Sequence, residues 1–121
     1  MNNLKKILIA SGGTGGHIIP ALSLYNFLKE ENYIVKLSTD LRGMTYVKNI
    51  NIEKIKIIDT SSIVKSKRFK SFLKIISAII KSFIFLIKDR PSLVIGMGGY
   101  SSFPICFSAA ILKIPIIIYE N

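Results

Sequence analysis

Two glycine clusters and a histidine are the residues of this chain whose types and spacing suggest chemistry. The first cluster reads Ser11-Gly12-Gly13-Thr14-Gly15-Gly16-His17, and it lies between a short aliphatic run and a helix-like segment. Backbone N–H groups and the positive end of a helix hold anions at such a junction. Glycines let the backbone approach a ligand closely, and a threonine hydroxyl adds one directed hydrogen bond. A phosphate group is therefore the favoured ligand, and a tight turn without a ligand is the alternative.

Two common phosphate-binding motifs do not fit this cluster. In a G-x-G-x-x-G dinucleotide fingerprint counted from Gly13, the third glycine position falls on Ile18. A P-loop closes with Gly-Lys-Ser/Thr, whereas this cluster closes with Gly-His. Asp40, after the second predicted strand, is the one hint of a ribose-binding acid. Dinucleotide binding and ATP hydrolysis are thus disfavoured.

His17 is the single histidine of the chain. At the mouth of a glycine loop, a neutral imidazole could act as a general base or contact a phosphate, and both roles stay open. A zinc site is disfavoured because no second ligand cluster accompanies the histidine. Cys106 is the single cysteine, which excludes an internal disulfide and multi-cysteine metal sites, and which fits a buried structural thiol in a reducing compartment.

Alternating strands and helices must position these residues. Aliphatic runs predict strands at residues 4–10, 33–38, 52–58, 93–95 and 116–119, and apolar periodicity predicts helices at 18–31, 69–88 and 102–112. The polar stretch 39–51, which contains Gly43, has room for one helical turn. This alternation predicts an α/β fold, a doubly wound parallel (Rossmann-like) sheet whose ligands bind beyond the carboxyl ends of the strands. Both glycine clusters fall at such ends.

Composition agrees with one folded domain that has an anionic partner. The 121 residues are half apolar, and 17 basic against 7 acidic side chains give a net charge of +10. This much apolar surface argues against disorder, and the charge favours a phosphate ligand, acidic lipid or nucleic acid. The first apolar run predicts a strand and not a signal peptide, because glycines follow where a cleavage site would stand. Export is not supported.

The two clusters, taken with their flanking residues, resemble one enzyme family. GGTGGHIIPAL over residues 12–22 and GMGGYSSFP over residues 96–104 resemble the undecaprenyl-diphospho-muramoylpentapeptide N-acetylglucosaminyltransferases of bacterial peptidoglycan synthesis. These are inverting enzymes of glycosyltransferase family 28 with two Rossmann-like halves, the GT-B fold. The resemblance implies that residues 1–121 form the N-terminal acceptor-binding half, that the donor-binding domain is absent and the chain truncated, and that the chain alone is inactive.

The resemblance also implies substrates and site residues. N-acetylglucosamine would pass from UDP-GlcNAc to the lipid-linked acceptor, converting lipid I to lipid II without a metal or cofactor. His17 is the expected catalytic residue. UDP-GlcNAc is expected to contact Thr14, Gly15, Gly16 and Asn121. The acceptor diphosphate is expected to contact Gly12, Gly13, Gly96, Gly98, Gly99, Tyr100 and Ser101. The family's fifth strand leads into His-Glu-Gln-Asn and this chain into Tyr-Glu-Asn, so Asn121 stands one position before the family's sugar-contacting asparagine.

Residues 63–90 form a cationic, apolar segment with eight basic groups against one acidic residue. At about 100° per residue, Lys70, Lys74, Lys81 and Lys88 fall within roughly 40° of one another. A crossover helix with a solvated lysine stripe, a helix in the interface of an anionic membrane and a membrane span are the alternatives. A span is disfavoured because each central lysine costs about 2.5 to 3.5 kcal/mol, and the interfacial helix is preferred. The expected membrane-contacting residues are Lys67, Arg68, Phe69, Phe72, Ile76, Ile80 and Phe83.

Together with the interfacial helix, the resemblance implies a peripheral protein on the cytoplasmic face of the bacterial inner membrane. A separate donor-binding chain is a further candidate partner. The alternatives are a non-catalytic membrane-anchoring subunit of a split glycosyltransferase and a gene remnant. A small nucleotide-binding oxidoreductase is disfavoured by the glycine register. Nucleic-acid binding is disfavoured because the lysines share a helix with aliphatic side chains and not with base-stacking aromatics.

Overall fold

The computed structural model describes residues 5–47, 55–57, 68–99 and 102–119. The strands are β1 (Lys6–Ala10), β2 (Ile34–Thr39), β3 (Ile55–Ile57), β4 (Leu93–Gly96) and β5 (Ile116–Ile118). The helices are α1 (Gly15–Glu30), α2 (Arg68–Lys88) and α3 (Ser102–Ile111), and a 3₁₀ helix covers Leu41–Tyr46. In the described residues these strands form one parallel sheet in the order β3-β2-β1-β4-β5. The predicted α/β class with a doubly wound parallel sheet is confirmed.

The sheet is buried on both faces because side chains alternate along each strand. Ile7 and Ile9 of β1 join the core that α1 covers, while Leu8 and Ala10 join the core under α2 and α3. From β1 the chain proceeds through β2 to β3 on one side of the sheet, and then places β4 and β5 on the other side of β1, so the strand order reverses between β1 and β4. A crevice at such a reversal is where ligands bind in this class of sheet.

The first helix begins three residues earlier than predicted. Thr14 is its N-cap, and the Thr14 carbonyl accepts hydrogen bonds from the amides of His17 at 3.0 Å and Ile18 at 2.9 Å. Glycine is a poor helix former, so the sequence placed Gly15 and Gly16 in the loop. The helix includes them because the loop before it is fixed by tertiary contacts. His17 consequently lies in the first helical turn.

The other predicted elements exist, with ends that shift by a residue or so. The stretch after β2 forms the 3₁₀ helix, with Asp40 at its N-cap accepting from the Arg42 amide at 2.9 Å. The predictions for Leu4, for residues 52–54 and for residue 58 lie outside the described residues. β4 extends one residue further than predicted, through Gly96.

Candidate active site at the carboxyl ends of the strands

A cleft of about 590 Å³ opens beyond the carboxyl ends of β1, β2 and β4. Three of its lining residues are polar or charged, and they come from the loop after β1, the start of α1 and the 3₁₀ helix. Its remaining lining comes from the loop after β4 and from α2 and α3. The lining residues are Thr14, His17, Arg42, Ile75, Gly99, Phe103 and Pro104. An anionic group and an apolar chain in one ligand would both find partners here.

The two glycine clusters contact each other at this cleft. The Gly12 amide donates to the Gly98 carbonyl at 2.8 Å. A Cβ on Gly12 would lie 2.9 Å from the Gly99 Cα, and a Cβ on Gly99 would lie 2.6 Å from the Gly12 Cα. Gly98 and Gly99 also have φ values of +93° and +89°, a backbone conformation that residues other than glycine rarely adopt. The two loops therefore pack backbone to backbone, which requires glycine on both sides.

Asp40 fixes the next residue of the first loop. Its side chain is fully buried, and its Oδ2 accepts from the Gly13 amide at 3.2 Å. A Cβ on Gly13 would lie 1.9 Å from Asp40 Oδ1, so this contact also requires glycine. The carboxylate is committed to the loop and to Arg42, so Asp40 does not act as the ribose-binding acid that its position suggested.

Three of the glycines expected to contact the acceptor diphosphate also have structural roles within the protein. The amides of Gly12 and Gly13 donate within the protein, to the Gly98 carbonyl and to Asp40 Oδ2, and these bonds shape the loop. Gly96 is buried in β4, where a Cβ would lie 2.7 Å from Cys106 Sγ, so it allows α3 to pack closely. The contacts of these three glycines with an acceptor diphosphate stay predictions. The amides of Gly15 and Gly16 lie in the first turn of α1, where a helix provides no intrahelical acceptor.

His17 is held by the residue at the helix N-cap. Thr14 Oγ1 and His17 Nδ1 are 2.7 Å apart, and either atom can be the donor, depending on the tautomer. The other edge of the imidazole faces the second loop, since a Cβ on Gly98 would lie 3.1 Å from His17 Nε2. The ring is half-buried and lines the cleft, with its Nδ1 beside Gly12 and Gly99 and its Nε2 beside Gly98.

Helix α2 has three distinct faces. Ala78, Ser82 and Leu86 are buried against the rest of the protein. With about 100° per residue, the lysines lie on a stripe roughly 100° away from this buried face, and exposed apolar residues fill the arc on the other side. The exposed apolar residues of α2 are Phe72, Leu73, Ile76, Ile80, Ile84 and Ile87. None of the helices among the described residues is both long enough and apolar enough to cross a membrane.

The residues expected to contact a membrane differ in how exposed their side chains are and in whether the structure describes them. Phe72, Ile76 and Ile80 are 60%, 38% and 54% exposed, whereas Phe83 is half-buried at the edge of the same arc. Lys67 lies outside the described residues, and Arg68 and Phe69 are described only as helix backbone. Three residues expected to contact the substrates also lie outside the described residues: Tyr100, Ser101 and Asn121.

An exposed stripe on α3 and the cleft residue Arg42 were not predicted from the sequence. Phe103, Phe107 and Ile111 of α3 are exposed, and the rings of Phe103 and Phe107 lie 5.6 Å apart. Their i, i+4 spacing is the signal that could have identified an exposed apolar stripe. Arg42 lines the cleft, and its position four residues after the predicted end of the second strand was the available signal.

The sequence matches a known family over almost its whole length. A model of the glycosyltransferase family 28 N-terminal domain matches residues 7–121. The chain belongs to this family. Among relatives, it is 38% identical over 118 residues to a Pelagibacter ubique protein named UDP-N-acetylglucosamine--N-acetylmuramyl-(pentapeptide) pyrophosphoryl-undecaprenol N-acetylglucosamine transferase. It is 41% identical over 120 residues to a Rickettsia felis protein of the same name.

This family 28 domain spans about one third of the length of those relatives. The alignments cover 96% and 98% of the chain but only 33% and 32% of the relatives. Among solved structures, MurG of Acinetobacter baumannii superposes with a TM-score of 0.81 at 27% identity, covering 94% of this chain and 34% of MurG. A UDP-GlcNAc 2-epimerase from Methanocaldococcus jannaschii has a TM-score of 0.70 at 19% identity, covering 96% of this chain and 31% of the epimerase, and shares the fold alone.

Proposed function

We propose that this domain is the acceptor-binding half of an inverting glycosyltransferase. The reaction would move N-acetylglucosamine from UDP-GlcNAc to an undecaprenyl-diphosphate-linked muramoyl-pentapeptide, in keeping with the names of the relatives. The observation that carries the proposal is the cleft itself. It combines Thr14, His17 and the second glycine loop with apolar side chains from α2 and α3, so it suits a ligand that joins an anionic group to a hydrocarbon chain.

In this reaction, His17 is the general base. It removes the proton from the acceptor sugar hydroxyl, which attacks the anomeric carbon of the donor while UDP leaves with the bonding electrons. The amides of Gly15 and Gly16, at the positive end of α1, stabilise the departing diphosphate. Thr14 orients the imidazole through the contact at Nδ1. The second loop, Gly98 to Ser101, contacts the acceptor diphosphate.

Membrane docking brings the domain to its lipid-linked acceptor. The exposed apolar residues of α2 and α3 would enter the interface of an anionic leaflet, with Lys74, Lys81 and Lys88 near the headgroups. Basic residues near such a surface contribute about 1 kcal/mol each, and buried apolar side chains add to this. The leaflet in this proposal is the cytoplasmic side of the bacterial inner membrane.

The donor-binding half lies outside residues 1–121 in this proposal. It would be supplied either by a longer form of the chain or by a separate polypeptide. A non-catalytic subunit that anchors and presents the lipid diphosphate is the second candidate function. The broad exposed apolar surface of α2 and α3 is the observation that favours it, since that surface serves docking whether or not chemistry follows.

The test is a transfer assay with labelled UDP-GlcNAc and vesicles that contain the lipid-linked acceptor. We expect transfer when the domain is combined with a donor-binding domain from a family relative, and none from the 121-residue chain alone. Transfer that depends on His17 supports the catalytic role. Transfer that persists undiminished with His17→Ala supports the anchoring subunit, and no acceptor-dependent product or binding in any combination contradicts both functions.

A further inference from the structure

Arg42 lines the cleft with Thr14 and His17, yet neither its sequence position nor the family resemblance gave it a role. Its side chain is 47% exposed, and the residue forms part of the cleft lining. In the described part of the chain its two side-chain hydrogen bonds are both with Asp40: Nη2 donates to Oδ2 at 2.7 Å and Nε donates to Oδ1 at 3.4 Å. A guanidinium has five N–H donors in a planar fork, so donors remain for a ligand.

Asp40 holds this arginine in one place. The carboxylate is fully buried and accepts from the Gly13 amide, the Arg42 amide and the Arg42 guanidinium. A buried carboxylate without such partners would be costly, so the loop, the 3₁₀ helix and the guanidinium are coupled through it. The hydrogen bond to Asp40 also raises the pKa of Arg42, which keeps the group cationic.

We propose that Arg42 binds the diphosphate of the ligand in this cleft, and that Asp40 is a positioning residue that holds Arg42 and the first glycine loop. The proposal rests on the proposed function and adds the side chain that recognises the anion. A planar guanidinium fits two phosphate oxygens at once, which a lysine does not do. The apolar residues Ile75 and Phe103 line the same cleft, so the ligand class is a diphosphate that carries a hydrocarbon chain.

The first experiment is calorimetric titration of the 121-residue chain with farnesyl diphosphate, inorganic pyrophosphate and farnesol. Wild-type protein should bind farnesyl diphosphate more tightly than either of the others, because only that probe has both parts. Arg42→Ala should weaken diphosphate binding roughly tenfold to a hundredfold, since a charge-assisted contact is lost. Arg42→Lys should recover part of the loss, because the charge returns without the fork.

A matched control removes an arginine at the opposite end of the sheet. Arg90 follows α2 and donates to the Leu112 carbonyl at 3.0 Å, away from the cleft. Arg90→Ala lowers the net charge by the same amount, so its diphosphate affinity should equal that of wild type. Equal losses in Arg42→Ala and Arg90→Ala, or no loss in Arg42→Ala, overturn the inference alone. Absence of diphosphate binding by wild-type protein overturns the proposed function as well.

The positioning role of Asp40 and a purely coulombic effect predict opposite changes in diphosphate affinity. Asp40→Asn removes a negative charge next to the cleft, so a purely coulombic effect would strengthen anion binding. The positioning role predicts weaker binding, because Arg42 is released. Asp40→Glu keeps the charge but displaces the guanidinium, and it should also bind diphosphate more weakly. Unchanged or tighter binding in a variant whose melting curve is cooperative overturns this role.

Discussion

The tautomer of His17 decides which chemistry the imidazole offers, and Thr14 contacts one of its two ring nitrogens. With Nδ1 held by Thr14 Oγ1 at 2.7 Å, Nε2 is the ring atom left for a substrate. A proton on Nδ1 leaves Nε2 free to accept one, as a general base requires, whereas a proton on Nε2 makes it a donor to a phosphate oxygen. The two roles expected from the sequence therefore correspond to two tautomers, which the Thr14 hydroxyl can support in either direction.

His17→Ala should lower the transfer rate of the reconstituted enzyme by roughly 10²- to 10⁴-fold, because the proton acceptor is lost. His17→Gln separates the two roles, since an amide can contact phosphate but is not a base. We expect kcat of His17→Gln to stay as low as that of His17→Ala. The measurement is kcat and KM with labelled UDP-GlcNAc, and a near-normal kcat for His17→Gln would remove the base role.

The glycine loops provide a paired test of packing. Gly12→Ala places a methyl group 2.9 Å from the Gly99 Cα, whereas a methyl group at Gly16 meets no atom within 4 Å. Gly12→Ala should therefore lower the free energy of unfolding by about 1 to 3 kcal/mol, as overpacked sites do. Gly16→Ala should leave it unchanged or raise it by up to about 1 kcal/mol, through helix propensity. Urea unfolding of both variants measures this, and equal stabilities would contradict the close contact of the two loops.

At the level of elements, helices α2 and α3 carry more apolar surface than the sheet can cover. Their buried residues pack on the face opposite to α1, and Ser108 Oγ of α3 donates to the Ile79 carbonyl of α2 at 3.0 Å. The two helices are thus joined, and their exposed residues lie on adjacent elements of one layer. Cys106 of α3 faces Gly96 of β4, and burial there raises the pKa of its thiol to about 11. This element pair is the proposed membrane-docking unit.

Ile80→Asp should weaken binding to phosphatidylglycerol vesicles roughly tenfold, because an exposed apolar side chain can no longer enter the interface. Phe27→Asp is the matched control: Phe27 is 57% exposed and Ile80 is 54% exposed, but Phe27 lies on α1, across the sheet. Vesicle cosedimentation should show a loss in Ile80→Asp alone. The same loss in both variants would indicate a nonspecific effect of charge and would contradict docking through α2.

The sequence predicted the type of each main element because aliphatic runs and helical periodicity are local signals. The start of α1 could not be placed, because Gly15 and Gly16 oppose helix formation locally and only tertiary contacts of the loop before them allow it. Likewise, the glycine motif indicated close backbone approach, but not that the approaching group for Gly12 is the second loop. The pairing of Asp40 with Gly13 joins residues 27 positions apart, which no local pattern reveals.

At the scale of the whole molecule, ion pairs connect α2 to two strands at the end of the sheet opposite the cleft. Asp89 follows α2 and forms ion pairs with Lys36 of β2 and with Lys6 of β1. Hydrogen bonds from Lys36 first, and from Lys6 second, lower the pKa of Asp89 below its ordinary value. A lowered folded-state pKa stabilises the fold above the unfolded-state pKa, and this contribution is lost as the pH falls through the folded-state pKa.

Asp89→Asn should therefore lower the free energy of unfolding at pH 7 by about 1 kcal/mol. Below the lowered folded-state pKa of Asp89, the variant and wild type should converge, because the wild-type carboxyl is then protonated as well. Urea unfolding at pH 7 and at about pH 2 measures the difference. Glu30→Gln, at an exposed site that has no ion pair among the described residues, is the charge-matched control. A stability difference that is the same at both pH values would contradict the ionic origin.

The proposed function requires this domain to recognise a lipid-linked diphosphate at the carboxyl ends of its strands. The most direct measurement is cosedimentation with two sets of vesicles of equal surface charge, one containing the undecaprenyl-diphosphate-linked muramoyl-pentapeptide and the other only phosphatidylglycerol. We predict tighter binding to the acceptor vesicles, with the excess removed by Arg42→Ala and retained in Arg90→Ala. Equal binding of the wild-type chain to both sets of vesicles would contradict the assignment of an acceptor site.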